Sequence, residues 1–231
     1  MLGSVKLAVM AIDTSTFLLP MPRHGDLPKR LGRLFLGLTL FGVGVGMMVR
    51  AELGLPPWGA FHQGVSDRTG LSFGTVVILT GLAVLIAWIP LKQRLGLGTV
   101  ANAMWVGVVV DMFLNAVPNV EALPGRVGLM VGGVVTVAIG SGFYIGAGLG
   151  PGPRDGIMTG LASKGLSIRM ARTIVEATAL SVGVLLGGQA GIGTVVFLVG
   201  IGPLVQIFLR LLSFERTDYS TAPVKKSTIT E

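Results

Sequence analysis

Two acids, Asp111 and Glu176, lie well inside long apolar stretches, and no other Asp or Glu does. An ionised side chain at membrane depth costs about 2.5 kcal/mol or more, so each should face a cavity or a partner. Asp111 has no basic residue within a helical turn, which favours a role toward a ligand; a protonated, neutral acid is the alternative. Glu176 follows Arg172 by four residues, so a local ion pair competes with any such role. A second set occupies two loops. Trp58, His62 and Gln63 stand in one, and Arg154 and Asp155 in the other, while Gln206 lies in the last apolar stretch. Arg154 reads as an anion clamp or as one more topology-setting cation, Asp155 as a helix cap or a proton site, and His62 as a group titrating near neutrality or as polar surface. Together these eight residues suit the binding of a small solute, with anions among the candidates.

Other chemistries lack their residues. The chain has no cysteine, which removes disulfides, thiolate metal sites and thiol nucleophiles. No HExxH, P-loop or metal-ligand pattern occurs, so neither a cofactor nor a bound metal is expected, and an enzyme is not. A paired-acid site built from Asp111 and Glu176 is the one catalytic option left.

The elements that must position these residues follow from composition. Of 231 residues, 51% are hydrophobic and 13% charged, with a mean hydropathy of +0.78. That is a membrane protein's balance. Six stretches, near 31–49, 71–91, 97–117, 127–149, 170–188 and 191–212, approach the roughly 20 apolar residues needed to cross a bilayer. They lack the alternation of barrel strands, so they are expected to be helices. The net charge of +7 is explained by topology rather than by nucleic acid. With a cytoplasmic N-terminus, only Arg50, Arg68 and Arg126 of the 18 Lys and Arg fall outside, which predicts that both termini are cytoplasmic. Residues 1–28 and 215–231 read as disordered cytoplasmic tails, with Met10 and Met21 as alternative starts and no secretory signal.

The chain also repeats itself. Leu53-Gly54-Leu55-Pro56-Pro57-Trp58 returns as Leu149-Gly150-Pro151-Gly152-Pro153-Arg154, 96 residues on. Gly96-Leu97-Gly98-Thr99-Val100 returns as Gly191-Ile192-Gly193-Thr194-Val195 at an offset of 95, and Arg30, Gly37 and Gly44 pair with Arg126, Gly133 and Gly140. Each copy, 29–117 and 125–213, holds three spans. Because three is odd, the second copy starts from the opposite side, and the fold expected is all-α: a single domain (29–214) of six transmembrane helices in two inverted repeats. Each matched loop combines a glycine-rich break with a proline-led short helix, placed after spans 1 and 4. These helices either re-enter the membrane, aiming free N–H groups at a cavity, or lie flat at the interface anchored by Trp58 and Phe61.

The motifs Leu53-Gly54-Leu55-Pro56-Pro57-Trp58, His62-Gln63-Gly64, Arg68 through Thr75, Gly96-Leu97-Gly98-Thr99, Gly148 through Gly156 and Gly200 through Gln206 together resemble the YczE/YyaS/YitT group of bacterial membrane proteins. The resemblance covers about residues 29–214 and implies a multi-span inner-membrane protein, without an assigned activity. Members often carry an acid after the first motif's tryptophan, where this chain has Gly59, leaving Asp155 as the acid of the paired motifs. The function expected is a small inverted-repeat transporter or permease-like carrier. The alternative is a membrane-embedded binding subunit working with a partner. The partners expected are the lipid bilayer, a small-molecule ligand and a second copy or a partner subunit, with no nucleic acid.

Overall fold

The structure is a computed structural model that describes residues 26–212. The expectations for disordered tails and alternative starts lie outside that range, apart from the helix that begins at Leu27. Eight helices are described: α1 Leu27–Ala51, α2 Pro57–Thr69, α3 Phe73–Leu91, α4 Leu97–Ala116, α5 Leu123–Gly146, α6 Pro153–Ala162, α7 Ile168–Leu185 and α8 Ile192–Leu212. Among the described residues there is no strand, so the fold is all-α and polytopic.

The helix starts follow from local chemistry. Proline occupies the first turn of α1, α2, α5 and α6, where its missing N–H leaves no helical bond unmade. Ser72 and Ser167 cap α3 and α7, their hydroxyls accepting from the N–H groups of Thr75 (3.2 Å) and Met170 (3.1 Å). At α4 and α8 the Thr99 and Thr194 hydroxyls reach back to accept from the Gly96 (3.3 Å) and Gly191 (3.1 Å) N–H groups.

Five helices, α1, α3, α4, α5 and α8, are long and apolar enough to cross a membrane among the described residues. Large apolar side chains such as Leu79, Ile86, Met112, Val199 and Leu211 cover their outer faces, which suits lipid and would be costly in water. The span expected at 170–188 corresponds to α7. It forms a helix of 18 residues, but Arg169, Arg172 and Glu176 on it leave it short of the apolar standard the other five meet.

α1 and α5 make the central packing. They run antiparallel, with Gly37 against Gly140 and Gly44 against Gly133. A Cβ on any of these four would strike the backbone of the facing helix, and the bare backbones let the two axes approach closely. Leu34, Leu38 and Met48 of α1, Val110 of α4 and Val134 of α5 are buried beside this seam.

Contacts between the copies are reciprocal. The Leu53 carbonyl accepts from the Gly193 N–H (2.7 Å), and the matching Leu149 carbonyl accepts from the Gly98 N–H (2.8 Å). Thr194 Oγ1 donates to the Leu55 carbonyl (2.7 Å), as Thr99 Oγ1 does to the Pro151 carbonyl (2.8 Å). Arg30 donates to the Ala147 carbonyl at the end of α5 (3.0 Å), and Arg126 to the Ala51 carbonyl at the end of α1 (2.8 Å). Residue i touching j′ while j touches i′ is the pattern a twofold relation generates.

One pair of helices breaks the pattern. α3 and α4 pack tightly, with Gly74 on Gly107 and Gly81 on Ala103. Their counterparts α7 and α8 make no comparable contact: α7 packs on α2 and α6, and α8 on α5. Arg169 and Glu176 occupy the places of Gly74 and Gly81, so the glycine seam that closes α3 on α4 is missing.

Candidate functional site

The short helices α2 and α6 bring their first turns toward one cavity of about 290 Å³ at the centre of the molecule, walled by residues of all eight helices. Trp58 and Arg154 each follow the leading proline of their helix, at matched positions of the two copies. They meet: the Arg154 guanidinium carbon sits 5.2 Å from the centre of the Trp58 ring, within cation–π range. Among the described residues no carboxylate comes within 4.0 Å of Arg154, so its N–H groups are not committed to an ion pair.

The anchoring of α6 comes from Trp88 of α3. Its indole N–H donates to the Pro153 carbonyl (2.8 Å) and its ring lies against Gly156, where a Cβ would have no room. At the matching contact of the other copy, Gly183 of α7 rests on the backbone of Ala60 and Phe61 in α2.

One helical turn past Trp58, His62 also lines the cavity with 2% of its surface exposed. Neither its Nε2 nor the Trp58 Nε1, both inaccessible to solvent, has a hydrogen-bond partner. His62 lies on α2, outside the spanning helices. Burial, and after it the Arg154 charge, hold its imidazole well below the ordinary value. A buried polar group left unpaired costs about 1–3 kcal/mol, so Trp58 and His62 each carry an unmet hydrogen-bonding atom on a residue that lines the cavity.

On α6, Asp155 Oδ2 accepts from the Gly152 N–H (3.1 Å), tying down the start of its own helix, and faces the Tyr144 hydroxyl at 3.5 Å. Burial pushes its carboxyl up from the ordinary range, and the Gly152 N–H and the Arg154 charge pull the other way. α7 contributes Arg172 and Glu176 to the wall, and α8 contributes Gln206. Arg172 and Glu176 are not within ion-pair distance, so the local pair suggested by their spacing is not formed.

Six of the eight residues singled out from the sequence therefore gather at the cavity: Trp58, His62, Arg154, Asp155, Glu176 and Gln206. Two stand elsewhere. Asp111 accepts from Ser72 Oγ (2.5 Å) and the Gly74 N–H (2.7 Å), pinning the start of α3 to α4. Gln63 Oε1 accepts from the Gln189 N–H (2.8 Å) beyond α7. Tyr144, Ser141 and Asn102 line the cavity as well. A hydroxyl or amide inside an apolar span was their only signal, and it also fits plain helix packing.

Residues 28–210 match the family described as "Family of unknown function (DUF6198)". An uncharacterised protein of Haemophilus influenzae is 35% identical over 186 residues, covering 80% of this chain and 85% of its own length. The uncharacterised membrane protein YczE of Bacillus subtilis is 31% identical over 201 residues, 84% of this chain and 93% of its own. The uncharacterised protein YyaS of the same organism is 26% identical over 185 residues, 77% and 90% respectively. No solved structure matches. The chain belongs to the DUF6198 family and is a YczE-like multi-pass membrane protein.

Proposed function

We propose that this YczE-like membrane protein is a small carrier that binds a solute in the central cavity and exposes it alternately to the two sides of the plasma membrane. The observation that supports this best is the meeting of Trp58 with Arg154, matched residues of two copies, on the wall of a cavity lined by all eight helices. α1 and α5 are antiparallel, so if both cross, the two copies run in opposite directions through the bilayer, the arrangement that lets two halves exchange conformations. In this reading α7 is the sixth crossing, its charged residues turned to the cavity side and the membrane interface. The short helices α2 and α6 re-enter the bilayer, and both termini are cytoplasmic. No catalysis is assigned to the cavity.

The test is uptake into proteoliposomes of purified full-length protein, with a panel of radiolabelled organic acids, amino acids and sugars, against empty vesicles. Saturable uptake of one class, lost in Arg154→Gln, is the expected result. Binding in detergent without uptake or exchange of the bound compound would overturn the carrier reading.

One observation favours a second reading, a membrane-embedded binding subunit docked on a partner. Arg169 and Arg172 are exposed on α7, the helix least suited to lipid on all sides. Co-purification of a partner from native membranes, lost on Arg169→Ala, would support it.

A further inference from the structure

We infer that the ligand of the central cavity is a small carboxylate with an apolar body, its charged end on Arg154 and Trp58. This deepens the carrier reading and rests on its assignment of the cavity as the ligand seat. Arg154 stands on the cavity wall with no carboxylate within 4.0 Å, while Glu176 and Gln206 bring acceptor oxygens to other parts of the same wall. Arg154 keeps its charge on the Trp58 face, the Trp58 N–H has no partner, and buried His62 leaves Nε2 unpaired. The Gly152 N–H and the Tyr144 hydroxyl already engage Asp155 Oδ2, so that acid serves its own helix. A carboxylate offers two oxygens with about four acceptor sites, matches the planar fork of a guanidinium, and takes an indole N–H at the same time.

The remaining wall sets the rest of the molecule. Val77, Val106, Val137, Phe41, Phe197 and Ile201 line the same cavity, so the body of the ligand is apolar. At roughly 30 Å³ per water-sized unit, 290 Å³ admits a compact acid of about ten non-hydrogen atoms. Such a molecule satisfies the orphaned donors and buries its carbon skeleton together.

The experiment is thermal unfolding of the purified full-length protein in detergent. The probes are aliphatic and arylalkyl monocarboxylates of three to nine carbons, each compared with the primary amide and the amine of the same skeleton. At least one acid should raise the unfolding midpoint in a saturable way while its amide and amine do not. Arg154→Gln should weaken that acid roughly tenfold to a hundredfold, and Trp58→Phe several-fold, as expected for losing a charged and a neutral hydrogen bond. The unliganded midpoints of both variants should stay close to that of the unaltered protein. No stabilisation by any acid, or equal stabilisation by the amide or amine, overturns the inference. An amine that binds and is taken up by proteoliposomes would sink the carboxylate and leave the carrier standing. An acid that binds but is never transported would do the reverse.

Discussion

The pair α3 and α4 and the pair α7 and α8 occupy matching stretches of the sequence, 95 residues apart, yet one is shut and the other is parted. In the first, Gly74 and Gly81 present bare backbone to Gly107 and Ala103, and Asp111 fastens the start of α3 through Ser72 and the Gly74 N–H. In the second, Arg169, Glu176, Leu198 and Gln206 stand at the places of Gly74, Gly81, Ala103 and Asp111. The bulk keeps the helices apart and the fastening acid is gone. Glu176 and Gln206 line the cavity instead, so the repeat closes one wall with its small residues and furnishes the other with polar ones. What separates a scaffold half from a chemical half is a handful of side chains along one helix pair.

That contrast can be broken most sharply by cross-linking, since the chain carries no cysteine of its own. An ideal Cβ on Gly81 would lie 3.1 Å from the Ala103 Cβ, a few tenths of an ångström closer than the Cβ separation of a disulfide, which a small parting of the two helices restores. Gly81→Cys with Ala103→Cys should therefore oxidise almost completely to an intramolecular bond, scored by mass spectrometry. Glu176→Cys with Leu198→Cys should not, and equal cross-linking of the two would show that the second pair is as closed as the first. If the acid panel makes the second bond appear, α7 and α8 close on the ligand, which turns a static difference into two states.

Alanine at matched glycines gives the next effect. Gly107→Ala collides with the Gly74 carbonyl and should cost about 1–3 kcal/mol by overpacking, read as a lower unfolding midpoint. Gly202, its counterpart, has nothing within 4 Å, so Gly202→Ala should hold or gain stability by up to about 1 kcal/mol through helix propensity. Matching losses would mean that α8 is packed after all. The smallest contrast is between Asp111→Ala, which removes a cap and should cost about 1–2 kcal/mol, and Gln206→Ala, which should stay within about 0.5 kcal/mol. A Gln206 variant as unstable as the Asp111 variant would give the two residues the same structural job.

Much of this was legible in the sequence, for reasons that differ by residue. The Leu-Gly-x-x-Pro loops and Gly-x-Gly-Thr starts stood out because Gly54, Gly150, Gly96, Gly98, Gly191 and Gly193 each meet the backbone of the other copy, so the motif and the contact are one constraint. Trp58 and Arg154 were visible as the places where the copies diverge inside a matched loop. Asp111 misled because an acid in an apolar run signals only that it has a partner. That partner, the Ser72 hydroxyl and the Gly74 N–H, lies about forty residues away in sequence and is supplied by the packing of α3 on α4. Tyr144 was hidden for the opposite reason: a tyrosine among Gly, Phe and Ile looks like packing until the cavity gives its hydroxyl a direction. The sixth span was read from length and apolar content together, and α7 carries Arg169, Arg172 and Glu176 on a helix of crossing length.

The exchanged loops carry a consequence for how such a chain comes apart. Thr99 receives the second copy's loop and Thr194 the first copy's, so neither half closes its own bonds. The connection from α4 to α5 spans only residues 117–122 and adds none of these contacts. The molecule is in effect a dimer with its subunits tethered, and residues 26–116 alone would carry an unmet loop and an empty receptor for one.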